Sequence, residues 1–403
     1  MLFDGTYCRG EAARAVGDDA WLRALLEVEA ALARVRAARG EIPADAAARI
    51  AAACVPDAPA PAAAAPAPAP VAATAAAPAP DGATTPPPRF DAAALARDAA
   101  DHATIVIPLV LALREAVGAD DAPFVHLGAT SQDVLDSAAM LIARDALAAT
   151  LADAAAARDA AAALARAHRA TPMIGRTLLQ QALPTSFGLR AAGWAVAIDR
   201  AVARLRAVRE QELWAQLGGP VGREDPAVAA ALAADLGLAA PPLCWHTLRL
   251  PVAAVAGATA TLAGILGKLA RDVTLLAQNE LGELREGTPG RGGSSAMAHK
   301  RNPVAAVSVL ACTRRVPGLA TTLLAAMEQE HERAAGAWQA EWATLTDLLA
   351  LTGSAAAWSR DLLENLEVDA ARMAANLPVK DEAAVAAAAA ATDAALATLT
   401  TAR

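Results

Sequence analysis

In a chain of 403 residues dominated by alanine, three short polar segments whose side chains could handle protons or anions stand out. These are His126-Leu-Gly-Ala-Thr-Ser-Gln-Asp133, Gly175-Arg-Thr-Leu-Leu-Gln-Gln-Ala-Leu-Pro184 and Gly290-Arg-Gly-Gly-Ser-Ser-Ala-Met-Ala-His-Lys-Arg-Asn-Pro303. In the third, Gly290, Gly292 and Gly293 free the backbone just before Ser294 and Ser295, so a mobile loop could carry a hydroxyl over a bound substrate. His299, Lys300, Arg301 and Asn302 then supply positive charge and donors where the next helix is expected to begin. A helix N-terminus adds free N–H groups that suit a carboxylate or a developing anion. In the first segment Thr130 and Ser131 occupy N-cap-like positions, Gln132 adds an amide and Asp133 sits in the first turn. In the second, Thr177, Gln180 and Gln181 follow Arg176 in an expected coil-to-helix transition ending at Pro184. Taken singly, each segment also fits an ordinary loop or cap, and the third fits a Gly-Ser linker ahead of a basic cap.

The elements that must hold these segments are helices. Alanine is the best intrinsic helix former because it loses no side-chain entropy and buries no polar group. Trp21, Leu25, Val28, Leu32 and Val35 repeat at spacings of four and three, after Asp18 and Asp19 as candidate caps and before Gly40 as the stop. Further long helices are expected over about 131–168, 184–213, 251–282, 301–327 and 338–366. Neither a βαβ alternation nor a phosphate-binding glycine motif interrupts them, so a long bundle whose core could be shared between subunits is expected. Between Pro56 and Pro88, 11 of the 25 prolines alternate with alanine. That pattern removes backbone donors and reads as an extended, solvated insertion.

Composition excludes several classes. Forty-three acidic against 35 basic side chains give a net charge of −8 with no Lys/Arg-rich block, which disfavours nucleic-acid or anionic-membrane binding. Cys8, Cys54, Cys244 and Cys312 show neither a disulfide framework nor metal-ligand spacing, so no metal is expected and a reducing cytoplasm fits. The N-terminal stretch lacks the basic-then-apolar order of a signal peptide. The eighteen uncharged residues from Leu250 to Gly267 reach the lower length limit of a membrane span. Their Ala, Gly and Thr content and Pro251 favour a helix inside a bundle instead.

Together the motifs amount to a resemblance. Gly293-Ser-Ser-Ala-Met-Ala-His-Lys-Arg-Asn-Pro303 closely resembles the signature loop of the fumarase/aspartase superfamily, GSSxMPxKxNP. HLGATSQDV and GRTLLQQALPTSFGLRAAGW look specifically like its 3-carboxy-cis,cis-muconate cycloisomerase branch. So do the opening LFD with DDAWLRALLEVEAALARV, IPLV at Ile107 to Val110, WHT at Trp245 to Thr247, and EQEHERAAGAWQAEW from Glu328 to Trp342. The resemblance implies an all-α, three-domain subunit: an N-terminal helical domain over 1–118 carrying the insertion, a central five-helix bundle over 119–366 carrying the motifs, and a shortened C-terminal helical segment over 367–403. It also implies a cytoplasmic homotetramer without cofactor or metal, each site drawing its three motifs from three subunits. Ser294 then matches the catalytic base; His299, Lys300 and Asn302 match substrate contacts, as do Thr130, Ser131 and Gln132 from the first region and Thr177 and Gln181 from the second.

The implied activity is cycloisomerisation of 3-carboxy-cis,cis-muconate to carboxymuconolactone in protocatechuate catabolism, through a doubly charged aci-carboxylate that needs stabilising as it forms. The substrate is a small di- or tricarboxylate. Related lyases usually carry RTH in the second motif, whose histidine helps an amine depart; here the position is Leu178, which suits a carboxylate leaving group in the reverse direction. Two other readings stand beside this: elimination from a substituted succinate to give fumarate, and a catalytically impaired relative. The second is motivated by Ala298 in place of the usual loop proline, by Leu178 and by the short C-terminus. His126, His246 and His331 are assigned structural rather than catalytic roles.

Overall fold

The computed structural model describes residues 2–55 and 90–400; the proline-alanine insertion at 56–88 lies outside the described residues. Short helices α1 (Asp4–Tyr7) and α2 (Glu11–Ala15) lead into α3 (Asp18–Ala38), α4 (Ala44–Ala53), α5 (Ala92–Asp98) and α6 (Val106–Val117). Then come α7 (Ser131–Ala167), strands β1 (Pro172–Thr177) and β2 (Gln180–Ser186), α8 (Phe187–Gln211), α9 (Pro226–Leu236), α10 (Leu250–Leu276) and β3 (Leu284–Glu286). The chain continues through α11 (Val304–Ala325), α12 (Ala337–Glu364), β4 (Leu366–Val368), α13 (Ala370–Ala375) and α14 (Glu382–Leu396). The fold is all-α, with two small antiparallel sheets, β1–β2 and β3–β4, at its loops.

Helices α7, α8, α10, α11 and α12 form the five-helix bundle, each packed on at least two of the others. Small residues make this possible. The buried face of α7 includes Ala138, Ala143, Ala146, Ala154, Ala157, Ala161 and Ala165, all without accessible surface, so neighbouring backbones approach closely. The helix directions follow from named contacts. Arg249, just ahead of α10, donates to Asp136 near the start of α7 (2.7 Å), and Trp338 at the start of α12 donates to the same carboxylate (3.0 Å). Helices α7, α10 and α12 therefore begin at one end of the bundle, while α8 and α11 run back. At 1.5 Å per residue, the 37-residue α7 is about 55 Å long.

Several local expectations change. Asp18 and Asp19 do not cap α3: Gly17 is the N-cap, and the two aspartates lie in the first turn, where they face the positive end of the helix. Helix α11 starts at Val304, later than Arg301. Residues 175–184 are not a coil leading into a helix but most of a β-hairpin, paired Thr177 to Gln180 and Arg176 to Gln181 with a bulge after Ile174. Helix α10 is long and apolar enough to cross a bilayer, yet half of its most apolar window is buried in this chain against α8, α11 and α12.

Candidate active site

The first segment forms the entrance to α7. Thr130 is the N-cap, and its N–H donates to the Asp133 carboxylate (2.9 Å). Asp133 is buried and also accepts from the N–H groups of Gly218 (2.8 Å) and Gly219 (2.9 Å), while its Oδ1 lies 2.7 Å from His246 Nε2. Burial alone would lower the His246 pKa, but the hydrogen-bonded Asp133 carboxylate, with Cys244 alongside, pushes it up to about 9. The imidazolium so held pins the turn at Gly218 to the start of α7. His126 is held similarly by the buried Glu29 carboxylate (2.6 Å), which raises its pKa against the opposing effect of burial. Both histidines are hydrogen-bonded parts of the scaffold.

Within this segment the side chains divide. Thr130 and Ser131 are half-buried and reach the surface. Gln132 has no accessible surface: its Nε2 donates to His246 O (2.8 Å) and Asp136 (3.2 Å), and its Oε1 accepts from Arg333 Nε (3.3 Å). Gln132 thus contacts the site through what it holds. Arg333 is exposed, also donates to Pro220 O (3.4 Å), and has no carboxylate partner among the described residues, leaving a cation held on Gln132. The sequence reading missed it: Arg333 lies within EQEHERAAGAWQAEW, and only folding brings it to Gln132.

Beneath them sits a buried network. Arg249 is forked between Asp136 (2.7 and 3.0 Å) and Glu341, and Gln329 donates to Glu341 (3.0 Å). Burial holds the Glu341 carboxyl above its ordinary range even with Arg249 beside it. The network ties the starts of α7, α10 and α12 into one platform under the first segment.

The second segment is at the other end of α7. The turn between β1 and β2 consists of Leu178 and Leu179, both with left-handed φ (50° and 65°), a conformation that branched side chains rarely adopt. Leu178 is 96% exposed, and Thr177, Gln180 and Gln181 stand exposed around it. The base of the hairpin is firm: Arg176 pairs in two-pronged fashion with the fully buried Glu283 (2.7 and 3.0 Å), to which Asn376 of the C-terminal segment also donates (2.8 Å).

The third segment links β3 to α11. Asn302 closes the loop by donating from both its N–H (2.8 Å) and its amide (3.1 Å) to Gly292 O. Gly292 has φ +80°, and a Cβ there would overlap the Asn302 backbone, so glycine is required. Ser294 is half-buried, and its Oγ accepts from the N–H groups of Ala296 (3.3 Å) and Met297 (3.2 Å), a turn that orients the hydroxyl. Ser295, His299, Lys300 and Arg301 are exposed. No carboxylate pairs with Lys300 among the described residues. The expected anion site at the helix N-terminus is absent: Glu286 takes the N–H groups of Ala305 (3.0 Å) and Ala306 (2.9 Å), Val304 N donates to Asn302 O and Val307 N to Pro303 O. His299, Arg301 and Asn302 instead line a polar cavity of about 620 Å³ with Glu286 and Arg291.

The structure brings the bases of the second and third segments to the same end of the bundle and leaves the first at the opposite end. The cavity at the third segment is lined by no residue of the first or second. Among the described residues there is no cluster of ligands able to hold a metal ion.

All-helical packing, a GSSxM loop and two further polar segments at the ends of long helices define a fumarase/aspartase-like lyase. The chain belongs to the lyase family, whose model matches residues 96–318. It is 45% identical to a 3-carboxy-cis,cis-muconate cycloisomerase of Bradyrhizobium diazoefficiens, over 91% of this chain and 77% of that protein. A nitrosuccinate lyase of Streptomyces davaonensis is 42% identical, over 90% and 74%. Among solved structures, the 3-carboxy-cis,cis-muconate lactonizing enzyme from Pseudomonas putida matches with a TM-score of 0.81 at 38% identity, over 94% of this chain and 79% of that one.

Proposed function

We propose that the protein cycloisomerises 3-carboxy-cis,cis-muconate to carboxymuconolactone in protocatechuate breakdown, as a cytoplasmic homotetramer whose sites take one segment from each of three subunits. A muconate carboxylate oxygen adds to the conjugated alkene, the carbon–oxygen bond forms, and the displaced π pair settles next to a second carboxylate as an aci-carboxylate. Ser294 delivers the proton to that carbon, and takes it back in the reverse direction. A serine hydroxyl is a poor acid or base in water, so the step depends on loop closure and on cations that stabilise the dianion as it forms. Lys300 supplies such a cation, with hydroxyl and amide donors from Asn302, Thr130, Ser131, Thr177 and Gln181. His299 adds a further contact and Gln132 acts by holding Arg333.

The observation that sets this reaction apart from amine release is Leu178, and the 45% identity to a 3-carboxy-cis,cis-muconate cycloisomerase favours it among the reactions that remain. The hairpin tip presents a leucine where an amine-releasing lyase needs an acid, and a carboxylate leaves as a stable anion without one. The same tip, and the relative named nitrosuccinate lyase, support a second reading: elimination from a succinate bearing an anionic leaving group, giving fumarate. Ultraviolet and NMR assays with both substrates separate them. Consumption of the conjugated carboxymuconate with appearance of the lactone is expected; inertness toward it with release of fumarate from nitrosuccinate would transfer the assignment to the second reading.

A further inference from the structure

Beside the first segment lies a cavity of about 220 Å³, lined by Val221, Gly222, Cys244, His246, Thr247 and His331 among others. The proposed reaction uses none of these side chains. Cys244 is half-buried there, whereas Cys54 and Cys312 are buried and Cys8 is exposed. Its sulfur packs on Gly218 so closely that a Cβ on that glycine would overlap it, and the same Cβ would lie 3.1 Å from His246 Cε1. Thiol and imidazole therefore meet over one glycine. The ring lies beside Cys244, while Nε2 is fixed on Asp133 at 2.7 Å. Carboxylate, imidazolium and thiol form a row leading from the entrance of α7 to the cavity, an arrangement that sets a cation beside a sulfur nucleophile.

We propose that Cys244 is a modification site that takes electron-poor alkenes, and that alkylation there disables the adjoining first segment. The sulfur bonds to the alkene carbon β to a carbonyl, and the π pair moves to the α carbon, which takes up a proton. The proton lost by the thiol passes to solvent, which returns one to the α carbon, so the net change is addition of S–H across the double bond, with no further reactant. A substituent on the sulfur has no room toward Gly218 and must enter the cavity or push the 218–222 turn aside. That turn supplies two of the N–H groups holding Asp133, which in turn holds the N–H of Thr130. The hydrogen bond from Thr247 Oγ1 to His331 O (2.9 Å), between two residues that line the same cavity, is strained by the same intrusion.

The test is substoichiometric N-ethylmaleimide on the native, full-length protein, with adducts mapped by mass spectrometry and turnover of carboxymuconate followed in parallel. Exposure alone ranks Cys8 first, although burial and the neighbouring Asp4 carboxylate push its thiol pKa up. The proposal expects Cys244 to label about tenfold faster than Cys8, with turnover falling in step. Cys244→Ser should turn over normally and resist the reagent; if it folds poorly, Cys244→Ala serves the same purpose. Only the turnover arm rests on the proposed activity. The labelling order, and a fall in melting temperature on Cys244 modification, are read without it. Faster labelling of Cys8, or full labelling of Cys244 with turnover and melting both unchanged, would overturn the proposal.

Discussion

Ser294 is the residue on which the proposed chemistry turns. Ser294→Ala should cut kcat on carboxymuconate by about 10²–10⁴-fold, the usual contribution of general acid–base catalysis, with the melting curve unchanged. Steady-state kinetics and calorimetry on one preparation check both halves. His246 makes a different prediction. Its folded pKa of about 9 lies above the unfolded value, so the stability it contributes is complete below pH 6.5 and disappears as pH rises through 9. Wild-type melting temperature should therefore fall across that window, and His246→Gln should flatten the slope; an unchanged slope would remove the His246–Asp133 pair as its source. Ser294, Lys300 and Asn302 stand out in the sequence as candidates because polar residues are sparse in an alanine background. Arg333 does not, and the inward turn of Gln132 does not, because both depend on which side of α7 meets a loop two hundred residues away.

At the level of elements, the buried platform and the third loop carry the weight. Arg249→Met would leave Asp136 and Glu341 without their cation, a loss of about 3–5 kcal/mol of stability by denaturant unfolding, since breaking a buried pair strands the remaining charge. Gly292→Ala would force the loop away from Asn302; kcat should drop while the bundle's thermal transition stays within a few degrees. The long helices were readable from their composition and apolar spacing, and their ends fall within a few residues of expectation except at 282, where α10 stops at Leu276. The hairpin was not readable. Its turn is Leu178-Leu179 rather than the Asn-Gly or Gly-rich pair that signals a two-residue turn, and the bulge after Ile174 breaks the strand alternation. The availability of the α11 N-terminus was likewise misjudged, because Glu286, eighteen residues ahead of it, reaches over to cap it.

For the whole molecule, helix length decides where chemistry can occur. With the first segment at the start of α7 and the second beyond its end, about 55 Å separates them in one chain, far more than any small polycarboxylate can bridge. The exposed Leu178, Leu179 and Leu183 at the hairpin, and the uncovered half of α10, are surfaces that further copies of the chain would bury. Sedimentation should accordingly give a tetramer, and a stable monomer would leave the site in pieces. The most direct test mixes two inactive proteins, Ser294→Ala and Gln181→Ala, unfolds and refolds them together, and follows loss of carboxymuconate absorbance. If each site takes its second and third segments from different chains, about a quarter of the sites in random hybrids carry both intact residues, so turnover should return to about that fraction of the wild-type level. Hybrids as inactive as their parents, from wild-type protein that refolds to full activity, would contradict the account.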